Sequence, residues 1–350
     1  MDIARACGFS VSTVSIVLSE APLSRNVAEK TRHLIKATAQ QLGYHPDAHA
    51  RSLRLRRSQT VGILAYDLSD LYCIPIVRSI QEGLKPGSYL PLLMDASTRR
   101  ALFDSYLQMA LERRVEGVII IGNWVFDETN LLRDVEKNNV PIVIVSRDLI
   151  ASGVSSVLVD NEVGGAMALR HLHMLGHHRI AVIRGPDEMF DSAPRWAGVQ
   201  RAATQSGIRI DPRLVLKLPN LVDPMSGFEG GLDCARRLQA SGLDFTAVIA
   251  VDDLTALGVV RGLSEAGVRV PEDCSVIGFD DLLPATVATP GITTIRQPLG
   301  EMGLLAAEWM VTAIEARYQR KSHAPQLHLA PPQLITRMST GKPSGKGRLD

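Results

Sequence analysis

Near the start of the chain the apolar positions fall at helical spacing. Ile3, Ala4 and Cys7 share one face of a short helix, and Gly8-Phe9 interrupts it. Val14, Val17 and Leu18 repeat the spacing on a second helix, whose start Ser10 is placed to cap. Two short helices joined by a Gly-containing turn read as helix-turn-helix. The outward positions of the second helix are Val11, Ser12, Thr13, Ser15 and Ile16. They are small hydroxyls and aliphatics, suited to hydrogen bonds and methyl contacts in a major groove. Val27, Thr31, Leu34, Ile35, Thr38 and Leu42 form a third helical stripe that stops at Gly43. After Pro46 and Asp47 the pattern predicts a fourth short helix over 48–55.

Beyond the linker the pattern changes to short apolar strands alternating with amphipathic helices. Strands are predicted at 60–65, 89–94, 117–121, 141–145, 157–159, 179–183, 214–218, 246–251 and 275–279. Helices are predicted at 72–84, 100–113, 128–138, 162–175, 195–206, 226–240 and 254–266. This alternation implies an α/β core of parallel, doubly wound sheets, and the strand count exceeds one ordinary sheet. Two similar lobes with a cleft between them follow. Met302, Leu305, Ala306, Trp309 and Met310 lie at helical spacing and read as core rather than as a cofactor box.

At 350 residues the chain is long enough for a small headpiece and a large core. Net charge is only +1, but residues 1–58 hold nine Lys and Arg against four Asp and Glu. A basic end on a mildly acidic protein is the footprint of nucleic-acid binding. The four cysteines, Cys7, Cys73, Cys234 and Cys274, are widely spaced and read as small core residues of a reducing compartment. No apolar run reaches membrane-spanning length and no signal-peptide pattern is present, so the expected location is cytoplasmic.

Several motifs together resemble the lactose-repressor family of bacterial transcription regulators. They are Asp2-Ile3-Ala4, Gly8, Ser10, Ser12-Thr13-Val14-Ser15, Thr31-Arg32, Leu42-Gly43-Tyr44, Pro46 and Ala50-Arg51-Ser52-Leu53-Arg54. The resemblance implies a helix-turn-helix headpiece over 1–45, a hinge helix and linker over 46–58, and an effector-binding and dimerisation core over 59–340. The core resembles periplasmic binding proteins, with one lobe at about 59–159 and 290–318 and the other at about 160–289 and 322–338. The tail over 341–350 is Gly/Lys/Pro/Ser-rich and reads as disordered. Lobe crossings are expected near 159–161, 288–292 and 318–324. By the same resemblance Ser10, Val11, Ser12, Thr13, Ser15, Ile16, Asn26, Tyr44, Ala50, Leu53 and Arg54 contact DNA, with Leu53 as a minor-groove wedge.

The chain departs from that pattern in places. Ile16 stands where many relatives carry arginine, Asp47 where Asn is common, and Ala28 where a capping Ser is usual. The loop over 19–26 is longer than typical. The start lacks a Thr that caps the first helix in relatives, so the natural N-terminus is expected upstream of Met1.

For the ligand, Asp253 follows strand 246–251 and Arg195 opens the helix after strand 179–183, both at carboxyl edges of strands, where doubly wound sheets bind ligands. A carboxylate and a guanidinium facing one cleft suit a polyhydroxylated molecule, and both match effector positions of the family. Asp67, Tyr72, Trp124 and Ser146 stand at further strand ends on that side. Val222 lies where some sugar-responsive relatives carry a stacking aromatic. His171, His173, His177 and His178 do not share a helix face, so no metal site and no cofactor is expected. No nucleophile triad or phosphate loop stands at a strand–helix junction, so no catalysis is expected. The reading is a homodimeric, ligand-responsive repressor of double-stranded operator DNA. A solute receptor of the periplasmic-binding type is the alternative.

Overall fold

A computed structural model describes residues 2–18, 22–44, 57–112, 115–122, 140–219 and 226–344. The chain divides into two compact units, residues 1–59 and 60–350.

In the first unit three helices enclose one small core. They are α1 (Asp2–Cys7), α2 (Val11–Leu18) and α3 (Glu29–Gln41). Ile3, Ala4, Val14, Val17, Ile35 and Ala39 are buried together. Leu34 and Leu42, expected in that core, are instead about half exposed, because Ile35 and Ala39 supply the inward stripe of α3. The predicted fourth helix lies outside the described residues.

The second unit holds two sheets. The first combines β1 (Thr60–Ala65), β2 (Leu90–Asp95), β3 (Gly117–Ile121), β4 (Ile142–Val145), β5 (Ser155–Val159) and β11 (Leu327–Ala330), all parallel, in the order β11-β5-β4-β3-β1-β2. Its inner strands β3 and β4 are apolar throughout and β1 nearly so, because both faces are covered. On one face Ile63, Ile119, Ile121 and Val143 pack against α4 (Cys73–Leu84) and α11 (Leu299–Tyr318). On the other, Leu64, Val118, Ile120 and Ile144 pack against α5 (Arg100–Glu112). The edge strand β2 leaves Leu90, Leu92 and Leu93 exposed.

The second sheet combines β6 (Ile180–Arg184), β7 (Val215–Lys217), β8 (Ala247–Ala250), β9 (Ser275–Asp280), β10 (Thr293–Arg296) and β12 (Gln333–Ile335), in the order β12-β10-β9-β8-β6-β7. Only β12 runs antiparallel to its neighbour. Its helices are α6 (Asn161–Met174), α7 (Ser192–Gln205), α8 (Ser226–Ala240), α9 (Asp253–Glu265) and the short α10 (Leu283–Val287).

The chain passes between the sheets three times. The first passage, at Asp160, is where the sequence puts it. The other two lie later than expected, at Gln297-Pro298 and Pro331-Pro332. The reason is pairing: β10 stays beside β9 before the second passage, and β11 pairs with β5 before the third. Proline, which ends a strand ladder, marks both passages.

Of the tail read as disordered over 341–350, Gly341 at its start is held in place, while 345–350 lie outside the described residues. The Gly341 N–H donates to Ser275 Oγ at 3.0 Å, and its carbonyl accepts from His177 Nε2 at 2.8 Å. His171 Nε2 bonds Thr340 Oγ1 at 2.9 Å. Two of the four histidines thus tie down the chain, and burial holds both below the usual imidazole range. Among the described residues no cluster of three metal-ligating side chains exists, and no helix is long and apolar enough to cross a membrane.

Candidate functional site

Two regions carry candidate chemistry. In the first unit, the Gly8 φ of 72° opens the turn between α1 and α2, a conformation that favours glycine. Ser10 Oγ then accepts the Thr13 N–H at 3.1 Å and shares a 2.9 Å hydrogen bond with the Thr13 hydroxyl. That is an N-cap, so the Ser10 hydroxyl holds the helix. With Val14 and Val17 turned into the core, Val11, Ser12 and Ser15 are exposed on the opposite side of α2, and Thr13 and Ile16 are half-buried. Asn26 and Tyr44 are exposed, as are the cationic Arg5, Arg25, Lys30 and Lys36. Ala50, Leu53 and Arg54 lie outside the described residues. A helix with this outer face and this charge can lie in a groove of DNA.

The second region is a cleft between the lobes of the core. Its first-lobe wall includes Tyr66, Asp67, Asp70, Tyr72 and Thr98; its second-lobe wall includes Met189, Asp191, Arg195, Asp252 and Asp280, with Gln297 at a passage between lobes. Arg195 is set there by close helix packing. A Cβ on Gly165 of α6 would collide with the Arg195 backbone, and one on Gly198 of α7 would collide with Glu162. The Arg195 guanidinium donates from Nε to Asn161 Oδ1 at 2.7 Å and from Nη1 to the Val251 carbonyl at 2.6 Å. Its Nη2 lies 3.5 Å from Asp191 and 3.9 Å from Asp280, and the group sits 3.7 Å from the centre of the Phe279 ring. Asn161 in turn donates to Asp191 at 2.7 Å, so the guanidinium is held on every side.

Asp280 closes the second-lobe wall. It adopts a φ of 113°, followed by 63° at Asp281, two left-handed residues in a row that are not glycine. Arg296 and Arg337 hold this turn by binding the Asp281 carboxylate, and Gln297 Nε2 donates to Asp280 Oδ1 at 2.6 Å. Burial raises the Asp280 pKa well above the usual carboxylate range, with Arg195 opposing and Asp253 and Asp252 adding to the rise. Across the cleft, burial pushes Asp70 up to about 7; the Tyr72 N–H opposes this and the charges on Asp252, Asp67 and Asp191 add to it.

Asp253, expected at the ligand, is not on the cleft wall. It is fully buried, and its oxygens accept the Leu282 N–H at 2.8 Å and the Thr294 hydroxyl at 2.6 Å. A Cβ on Gly278 would meet its carboxylate, so β9 is shaped around it. Asp252 takes the wall position instead while capping α9 through Thr255 N–H at 2.7 Å. Ser146 is likewise buried off the wall, with a φ of 74° and a hydroxyl without a partner among the described residues. Arg195, Asp67 and Tyr72 do line the cleft. Trp124 and Val222 lie outside the described residues. Asp70, Asp191, Asp252 and Asp280 were missed as ligand candidates. The signal for Asp280 was present: Phe279-Asp280-Asp281 ends a strand at the same edge as Val251-Asp252-Asp253.

Residues 1–47 match the family model for bacterial regulatory proteins of the lacI family, and residues 169–340 match the periplasmic binding protein-like domain. The chain is 30% identical over 339 residues to the HTH-type transcriptional repressor PurR of Escherichia fergusonii, covering 97% of this chain and 95% of that protein. It is 29% identical over 340 residues to the HTH-type transcriptional regulator DegA of Bacillus subtilis, covering 97% of each. Among solved structures it is similar to the Lac repressor dimer bound to operator and the anti-inducer ONPF. There the TM-score is 0.82 and the identity 25%, over 97% of this chain and 98% of that one. The chain belongs to the lacI family of bacterial regulatory proteins, as a non-catalytic, DNA-binding transcriptional regulator with a ligand-binding core.

Proposed function

We propose that the protein is a cytoplasmic, homodimeric repressor whose hold on its operator is set by a small polar effector bound between the core lobes. The observation that carries this reading is the cleft itself. Arg195 and Asp280 face it from one lobe and Asp67, Asp70 and Tyr72 from the other, so one small molecule touches both. A ligand that bridges the lobes favours one lobe angle, and the passages at Asp160, Gln297-Pro298 and Pro331-Pro332 are the segments that absorb the change. The exposed Leu90, Leu92 and Leu93 on β2 and Leu283 and Val287 on α10 support pairing of two copies.

On the DNA side, Val11, Ser12 and Ser15 are read as groove contacts, with Asn26 and Tyr44 beside the backbone, and Leu53 as the minor-groove wedge between Ala50 and Arg54. The Ser10 hydroxyl, engaged as a cap, serves DNA only through the helix it fixes. Selection of a duplex from a random pool, followed by mobility-shift titration, tests this function. A palindromic site should emerge, with affinity falling steeply with salt, by a log–log slope of about 0.9 per phosphate neutralised. Failure to enrich any sequence would favour the rival reading, a solute receptor without operator specificity.

A further inference from the structure

We infer that Asn161 is a positioning residue that couples the ligand-facing guanidinium of Arg195 to the lobe passage at Asp160. This rests on the reading of the cleft as the effector site and adds how contact there reaches the lobe angle.

Asn161 is the first residue of α6, directly after the passage, and is buried. It does not line the cleft, so it acts through its neighbours rather than on the ligand. Both ends of its amide are used. Oδ1 accepts the Arg195 Nε–H at 2.7 Å, and Nδ2 donates to Asp191 Oδ1 at 2.7 Å. A guanidinium only donates and a carboxylate only accepts, so the two partners fix which way the amide points. Asp191 itself lies 3.5 Å from Arg195 Nη2, which closes a buried triangle of three side chains. Away from water such bonds are not exchanged for solvent, so the three groups move together.

The backbone beside Asn161 is tied in the other direction. The Asp160 N–H donates to the Ala330 carbonyl at 2.9 Å, where β11 ends and the third passage begins. The Asp160 carboxylate caps α6 through the Val163 N–H at 2.9 Å. Two consecutive residues thus join the ligand-facing arginine to two of the three passages. A change of lobe angle absorbed at Asp160 moves the Asn161 amide and the guanidinium bound to it, so different lobe angles present Arg195 differently. By linkage, a ligand that favours one placement of Arg195 favours the lobe angle that gives it. At the second passage Gln297 makes a comparable 2.6 Å bond to Asp280, but Gln297 also lines the cleft, so coupling there is not separable from ligand contact. At Asn161 it is.

The test has two arms, both on the full chain. The first uses no ligand and follows hydrogen exchange at the Asp160 and Val163 amides, with the Val248 and Ile249 amides of β8 reporting opening of the whole core. Arg195→Lys keeps a cation beside Asp191 and Asp280 but has no Nε–H for Asn161. It should speed exchange at the passage amides at least about tenfold more than in β8, through loss of one buried, charge-assisted hydrogen bond. In an Asn161→Leu background the same change should add nothing. Passage amides that Arg195→Lys moves no more than β8 overturn the proposal even where Asn161→Leu fails to fold, and so does equal acceleration in both backgrounds.

The second arm takes whichever of sorbitol, xylose, gluconate and adenosine most raises the wild-type melting temperature, and measures both its binding and its effect on operator affinity. Asn161→Leu should bind it more weakly, yet at saturation should recover no more than about a tenth of the wild-type shift in operator affinity. A full shift at saturation overturns the coupling but keeps the cleft as the effector site. Binding untouched by Asp280→Asn and Asn161→Leu alike overturns the cleft reading and the coupling together.

Discussion

Two aspartate pairs stand at neighbouring strand ends, Asp252-Asp253 after β8 and Asp280-Asp281 at the end of β9, and each pair divides its work in the same way. One member lines the cleft, Asp252 in the first pair and Asp280 in the second. The other secures the fold: Asp253 takes two hydrogen bonds in full burial, and Asp281 is gripped by Arg296 and Arg337. Which member does which differs between the pairs. After β8 the chain enters α9 directly, so the first residue caps and faces out while the second turns under the helix. At β9 the chain makes a left-handed turn, so the first residue faces the cleft and the second is anchored behind it. A dipeptide read without its backbone conformation does not reveal this.

Substitutions sharpen the contrast, and their effects on stability should descend in a definite order. Asp253→Ala strands a buried backbone N–H and a buried hydroxyl, and should destabilise the core by about 3 kcal/mol in denaturant titration. Its operator binding should suffer with the fold, even without effector. Asp281→Ala frees two arginines and a strained turn, but Arg296 is partly exposed, so about 2 kcal/mol is expected in the same assay. Asp280→Asn keeps an acceptor for Gln297 and tolerates the left-handed φ, so its stability should stay within about 0.5 kcal/mol of the wild type. If Asp280→Asn proves the most destabilising of the three, the division of labour is wrong.

Much of the fold was legible because its signals are local and repeated. Apolar runs such as those of β1 and β3 need both faces covered, and the α8 range coincides with its prediction at 226–240. The strands β10, β11 and β12 were not legible. Each is short, and β11 leaves Leu327, His328 and Leu329 exposed and buries only Ala330, so pairing rather than hydrophobicity makes them strands. This is also why the second and third lobe passages were set too early. The headpiece core and the Ser10 cap could be read from spacing, whereas the exposure of Leu34 and Leu42 depends on how α3 is rotated.

In the cleft, Arg195 was legible from its place after a strand, and so was the choice of strand edge. The choice of Asp253 over Asp252, and the omission of Asp280, came from reading position along a strand without the side-chain direction that a cap or a positive φ imposes. Burial also drives the Asp253 carboxyl up to about 7 despite its two hydrogen bonds, with the charges of Asp252 and Asp281 adding to the rise. The cleft-facing Asp70 and Asp280 are raised as well, so it is the Leu282 and Thr294 hydrogen bonds in full burial that mark Asp253 as structural.

The central claim is that ligand binding in the cleft controls operator binding, and Asp280→Asn tests it with least disturbance. Operator affinity should be measured by mobility shift on wild type and variant, first alone and then across a titration of a compound that stabilises the wild type. Without effector the two curves should coincide. With effector, the variant should need at least about tenfold more compound for the same response, equivalent to 1.4 kcal/mol of binding. An unchanged effector response in Asp280→Asn would contradict the account.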